Sequence, residues 1–196
     1  MNPQEKFWSG SFGDSYSRRN TGRVENNIKF FKKALASVDS LSSVIEFGAN
    51  IGENLQAITS IYNVSEVVGV EINELAINEL KNHCTQVFQG SLLEFYSDKR
   101  ADLTFTKGVL IHINPKDLPR AYEKLFKFSK KYILIAEYFS TKPQAIEYRG
   151  HSGRLWKRDF CQDMMNLYPD LKLIDYGFSY HTDGQDDLNF FLMEKK

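Results

Sequence analysis

The run Val44-Ile45-Glu46-Phe47-Gly48-Ala49-Asn50-Ile51-Gly52-Glu53-Asn54-Leu55 constrains this chain more than any other. An apolar, strand-like start meets an acid, and small or polar residues then alternate until a helical pattern begins. Bulky apolar residues would stabilise a buried strand end better than Glu46, Gly48, Asn50 and Gly52, so packing alone does not account for them. Glycine supplies positive φ and lets a ligand approach the backbone closely. In an open α/β sheet, ligands lie at the carboxyl ends of the strands, where strand order reverses, next to the first strand.

The rest of the chain supplies such a sheet. A helix is predicted at about 24–38, with Val24, Ile28, Phe31, Leu35 and Val38 at helical spacing, and another follows Gly52 to about residue 62. The strand EVVGVEIN leads into the helix ELAINELKNHC, which runs to Cys84. TQVFQGS and ADLTFTKGV read as the third and fourth strands. KDLPRAYEKLFKFS reads as a helix capped by Asp117, with Pro119 in its first turn. KYILIAEYF is a fifth strand, RDFCQDMMNLYP a helix, and LKLIDYGFSYH with DDLNFFLMEKK a closing antiparallel pair. Alternating strands and helices predict an α/β, Rossmann-like, doubly wound and mostly parallel seven-stranded sheet, with the last strand antiparallel beside the fifth. All of 1–196 reads as one domain, with a helical cap over about 1–40.

Charge and cysteine content narrow the partners. With 25 basic and 25 acidic side chains, the chain lacks the basic excess of most nucleic-acid binders. No apolar run reaches the length of a membrane span, and the N-terminus has no basic region leading into an apolar one. Cys84 and Cys161 lie far apart, which argues against a disulfide framework or a zinc cluster and suits a reducing cytoplasm. No metal ligands are predicted.

Glu71 closes the second strand, where an acid accepts hydrogen bonds from the two hydroxyls of a ribose. A dinucleotide site would want GxGxxG and amides free for a pyrophosphate. Here Asn50 takes the second glycine's place, and Glu46 would repel a pyrophosphate. A cationic nucleoside such as S-adenosylmethionine, with its sulfonium and ammonium groups, suits an acidic strand end.

EFGANIG resembles the first motif of class I S-adenosylmethionine-dependent methyltransferases, and GVEIN their ribose-binding acid. QGSLLEF resembles their adenine segment, and FTKGVLIHINP their segment after the fourth strand. The likeness is closer to the pseudaminic-acid-biosynthesis-associated methylases, through FGDSYSRRN, EFGANIGENL, TKGVLIHINP, IAEYF, YRGHSGRLWKRDF and DYGFSYH. Asn50 departs from the general class motif.

The resemblance implies a cofactor site of Glu46, Gly48, Asn50, Gly52, Glu71 and Ile72, with Ser91 and Leu92 flanking adenine. Tyr16 and Arg19 would fold over the methionine end, whereas Phe7, Trp8 and Phe12 would pin a surface helix. Lys107, at a buried strand end, joins the cofactor set, faces the acceptor or pairs with an acid. His112 or His151 would serve as general base. Residues 148–158 read as a basic loop gripping an anion through Tyr148, Arg149, Arg154 and Lys157, with Tyr138, Tyr180 and His181 completing the pocket. The implied reaction is methyl transfer, by O-methylation, to a small anionic acceptor such as a sugar, sugar-nucleotide or phosphorylated surface-glycan precursor. A non-catalytic S-adenosylmethionine-binding module, an RNA methyltransferase and a nicotinamide-dependent dehydrogenase are the rival readings.

Overall fold

A computed structural model describes residues 1–196. Five strands, β1 (Ser43–Phe47), β2 (Glu66–Glu71), β3 (Gln86–Gln89), β4 (Ala101–Lys107) and β5 (Ser129–Glu137), pair in parallel. β6 (Gln144–Tyr148) and β7 (His151–Lys157) form a separate hairpin. β8 (Leu171–Ser179) and β9 (Leu188–Lys195) return to the main sheet, giving seven strands in the order β3-β2-β1-β4-β5-β9-β8. β9 runs antiparallel to β5, from Tyr132 opposite Glu194 to Glu137 opposite Asn189, in the place predicted for the last strand.

Burial explains the composition of the inner strands. Val44, Ile45 and Phe47 of β1 and Leu103 and Phe105 of β4 are buried, as expected of parallel strands covered on both faces. β5 sends Ile133 and Ile135 to one core and Tyr132, Leu134 and Ala136 to the other. The first core is closed by α6 (Leu118–Phe128) and α7 (Phe160–Leu167), the second by α3 (Val24–Ala34) and α4 (Glu53–Ile61). In α6, Leu118, Ala121, Tyr122, Leu125 and Phe128 keep helical spacing toward the sheet. No helix is long and apolar enough to cross a membrane.

Several local expectations need correction. The helix after β2, α5 (Glu74–Leu80), stops short of Cys84, and the following turn brings the Cys84 thiol against Gly69. Asp117 holds the N-cap position of α6, but its side chain caps no helix amide and accepts a 3.2 Å hydrogen bond from Asn2 Nδ2. The segment 1–40 divides. α1 (Pro3–Ser9) and α2 (Ser11–Arg19) cross above the carboxyl ends of the strands, whereas α3 packs Phe30 and Phe31 into the core. α1 and α2 meet where Gly13 abuts the Trp8 carbonyl, which leaves no room for a Cβ there.

Asn73 ties this cap to the sheet. Its Oδ1 accepts from the Ala76 amide at the start of α5, and its Nδ2 donates to Asp14 Oδ1 at 2.8 Å and to the Trp8 carbonyl at 3.3 Å. Losing a side-chain cap costs about 1 kcal/mol. Asn73→Ala is therefore expected to lower stability in urea unfolding by about 1–2 kcal/mol, once the two cap tethers are added.

Candidate functional site

A cavity opens at the carboxyl ends of β1 to β4, at the switch point between β1 and β4. Its floor is the turn Gly48 to Ile51, Glu71 to Asn73, Gly90 to Leu93 and Lys107 to Val109. Trp8, Tyr16, Ser17 and Asn20 of the cap roof it, and His112, Arg23, Asn27 and Asp186 complete its lining. Gly48 takes φ 77°, and a Cβ on it would lie 2.5 Å from Val109 Cγ2. Asn50 follows at φ 47°, a left-handed conformation asparagine tolerates better than most residues. Its Oδ1 accepts 2.7 Å from Ser17 Oγ, another tie to the cap.

The Glu71 carboxylate organises the floor. Oε1 accepts from the Ile72 and Asn73 amides, both at 2.8 Å, and Oε2 accepts from the Asn50 amide at 2.7 Å. Burial raises its pKa above the ordinary carboxylate range, and the three amides pull it back. Oε2 takes one donor where a carboxylate oxygen can take two, and Glu71 lines the cavity.

Glu46 stands behind the wall rather than in it. It is fully buried, and Oε1 accepts 2.6 Å from Asn54 Nδ2, while Oε2 has no partner. Asn54 itself lines the cavity, and its buried Oδ1 has no partner. Burial pushes Glu46 up to about 8 and Lys107 down to about 8, while their mutual attraction opposes both shifts. Lys107 Nζ donates at 3.3 Å to Asn27 Oδ1, which also accepts from Gln185 Nε2 at 3.1 Å.

The loop after β4 hangs on Glu137. Its buried carboxylate accepts from the Val109 and Leu110 amides at 3.0 Å and from the Ile111 amide at 3.4 Å. This places His112, whose Nδ1 lies 2.7 Å from the Arg154 carbonyl. A carbonyl only accepts, so Nδ1 carries the proton and Nε2 keeps a free lone pair. The ring packs against Trp8 at 4.6 Å and Tyr148 at 4.8 Å between centroids, and burial lowers its pKa to about 4.

Below the ordinary histidine value the unfolded chain binds a proton that the native state refuses until pH falls to about 4. His112 therefore removes stability as pH drops from about 6.5 to 4, by about 3 kcal/mol in all. His112→Gln is expected to flatten that part of the stability–pH curve, and the native imidazole is expected to titrate near pH 4 by NMR.

Of the residues singled out in the sequence, Tyr16, Gly48, Asn50, Glu71, Ile72, Ser91, Leu92, Lys107 and His112 line the cavity. Gly52 does not; it starts α4 at φ 88° and packs against Leu80. Arg19 is exposed over Phe12 and Tyr16, and Arg23 is the arginine that faces the cavity. Residues 148–158 are no loop: Tyr148 pairs with His151 across a two-residue turn, with Arg149 at φ 51° and Gly150 at φ 79°. His151 lies outside the cavity against Phe7 and Phe12. Arg154 stands over Phe7, Lys157 over Tyr138, and Arg158 pairs with Asp163. Tyr180 and His181 are exposed, with His181 bonded to Asp187. Trp8, expected only to pin a surface helix, is part of the wall. Trp8, Arg23, Asn54, Asn73 and Glu137 were not singled out as site residues from the sequence; the acid in IAEYF and the polar residues of GENL and VEIN were the available signals.

No family model matches the chain, and no curated protein does either. Solved structures do match. Magnesium protoporphyrin IX methyltransferase (ChlM) from Synechocystis PCC 6803, with bound SAM, aligns at TM-score 0.72 and 10% identity, over 100% of this chain and 99% of that one. The 1,6-didemethyltoxoflavin-N1-methyltransferase of Burkholderia thailandensis, with bound 1,6-didemethyltoxoflavin and S-adenosylhomocysteine, aligns at 0.72 and 10%, over 98% and 87%. The mitomycin 7-O-methyltransferase MmcR aligns at 0.71 and 11%, over 100% of this chain and 61% of its own. The chain therefore has the Rossmann-like fold of the S-adenosylmethionine-dependent methyltransferases.

Proposed function

We propose that this chain is an S-adenosylmethionine-dependent methyltransferase that O-methylates a small anionic acceptor, of the sugar, sugar-nucleotide or phosphorylated surface-glycan-precursor kind. The pseudaminic-acid-associated resemblance in the sequence supports that acceptor class, and the cytoplasm is the place for it. The observation that carries the reading is Glu71, a carboxylate that ends β2 beside the Gly48 turn, lines the cavity and has one oxygen with a single donor. Two further observations fit the donor. Asn54, backed by the Glu46 carboxylate, lines the cavity on a side that favours an ammonium, and Lys107, which forms no ion pair, supplies positive charge for a carboxylate.

When bound, the donor supplies a methyl group on a sulfonium, open to in-line displacement. The residues do the rest. Glu71 holds the ribose, Ile72, Ser91 and Leu92 flank the base, and Tyr16 with Trp8 closes the roof and excludes water. His112 presents Nε2 to the acceptor hydroxyl. Its low basicity suffices, because a hydroxyl proton becomes strongly acidic as the oxygen bonds to carbon. His151, outside the cavity, takes no part in this step.

The names of the neighbouring enzymes include both nitrogen and oxygen acceptors, so the choice of oxygen rests on the unpartnered His112 Nε2. Purified protein incubated with S-adenosylmethionine and a panel of sugar phosphates and sugar nucleotides is expected to release S-adenosylhomocysteine. Cofactor binding without release for any of them would indicate a non-catalytic binding module instead.

A further inference from the structure

The chain forms six ion pairs and two histidine–carboxylate contacts, and none includes Arg19, Arg149 or Arg154. Arg23 and Arg158, by contrast, each face a carboxylate. The three uncompensated guanidiniums stand on aromatic rings. Arg19 lies 5.3 Å from the Phe12 ring centre and 5.2 Å from that of Tyr16, Arg149 5.9 Å from Tyr148, and Arg154 4.9 Å from Phe7. These rings form one cluster that joins the cap to the β6–β7 hairpin. Phe7 stacks on Phe12 at 4.1 Å, Phe12 meets Tyr148 at 5.9 Å, and His151 lies 5.0 Å from Phe7. The innermost member, Tyr148, touches His112. The cations are thus held on a rim of rings that packs outward from His112, which lines the cavity.

The hairpin turn adds a second, independent observation. With both central residues at positive φ it is a type I′ turn, whose first position favours asparagine, aspartate or glycine. Arginine at φ 51° is a poorer choice for the backbone there. A side chain placed against the preference of its own turn marks a position used for something other than folding.

We infer that this rim binds the phosphate or diphosphate group of the acceptor, while the hydroxyl to be methylated reaches His112. The inference rests on the proposed function and names the anion that reading leaves open. Guanidinium forks match phosphate oxygens bidentately, and a diphosphate offers enough oxygens for more than one arginine. A lone carboxylate would satisfy only one fork. Exposed faces of the cluster offer a stacking surface if the phosphate is linked to a nucleoside.

The test is calorimetry on the full chain saturated with S-adenosylhomocysteine, titrated with inorganic pyrophosphate and separately with uridine diphosphate. Both are expected to bind, with affinity falling as salt rises. Arg149→Asn is expected to weaken both by roughly tenfold, and Arg149→Asn with Arg154→Gln by roughly a hundredfold, from the loss of charge-assisted bonds. Arg149→Asn should not lower the melting temperature, since asparagine suits the turn. Uridine diphosphate binding tenfold tighter than pyrophosphate assigns a nucleotide-linked acceptor, and equal affinities assign a simple phosphate ester. Absence of binding, or binding unchanged in the double variant, overturns the inference, as does preferential, length-dependent binding of single-stranded RNA. S-adenosylhomocysteine affinity is measured first on each protein; its absence in the parent chain overturns the proposed function itself.

Discussion

Glu71→Gln is expected to weaken S-adenosylhomocysteine binding by about 2–3 kcal/mol, roughly 30- to 150-fold, in a calorimetric titration. The loss has two sources. The carboxylate now accepts from the amides of Asn50, Ile72 and Asn73, and so fixes the turn that floors the cavity. A glutamine amide puts an NH₂ where one of those donors must be accepted, which leaves a buried donor unsatisfied. It also loses the charge that strengthens a bond from a ribose hydroxyl. Since burial raises the pKa of Glu71, protonation begins above the usual carboxylate range. Affinity in the parent protein should therefore fall on acidification, and that fall should be much reduced in the variant. Equal affinities would remove Glu71 from the site.

Gly48→Ala should cost about 2–4 kcal/mol of stability in urea unfolding, from two separable causes. Holding an L side chain at φ 77° costs about 1–2 kcal/mol. The rest comes from the new methyl, which would fall 2.5 Å from Val109 Cγ2 and drive that side chain away. Val109 gives its amide to Glu137 in the loop that carries His112, so the displacement should lower turnover as well. Adding Val109→Ala is expected to recover the contact part of the loss and leave the backbone part. A neutral Gly48→Ala would show that the turn is looser than its dihedrals imply.

How far the sequence reveals this molecule depends on the range of the interaction involved. The βα units and the closing antiparallel pair were legible because apolar spacing and turn residues are local signals. The switch-point motif was legible for a similar reason, since small residues at a strand end have few other uses. The β6–β7 hairpin was hidden. Gln144, Ala145 and Glu147 are exposed, so β6 has no continuous apolar face, and an arginine occupies the turn position where asparagine would have announced it. Trp8 escaped because its partner His112 is distant in the chain, and no local pattern couples them. Arg19 was named from the sequence, but the chain aims Arg23 into the cavity after α2 ends at Arg19, a turn no local pattern announces. Glu46 was read as a direct ligand, and only the fold shows Asn54 in front of it.

The crevice at the carboxyl ends of β1 to β4 is expected to hold a methyl donor by its ribose and its charged tail. Calorimetry of the unmodified chain with S-adenosylhomocysteine and, separately, with NAD asks this most directly. A one-to-one isotherm with S-adenosylhomocysteine and none with NAD is predicted. Binding of NAD alone, or of neither, would contradict it.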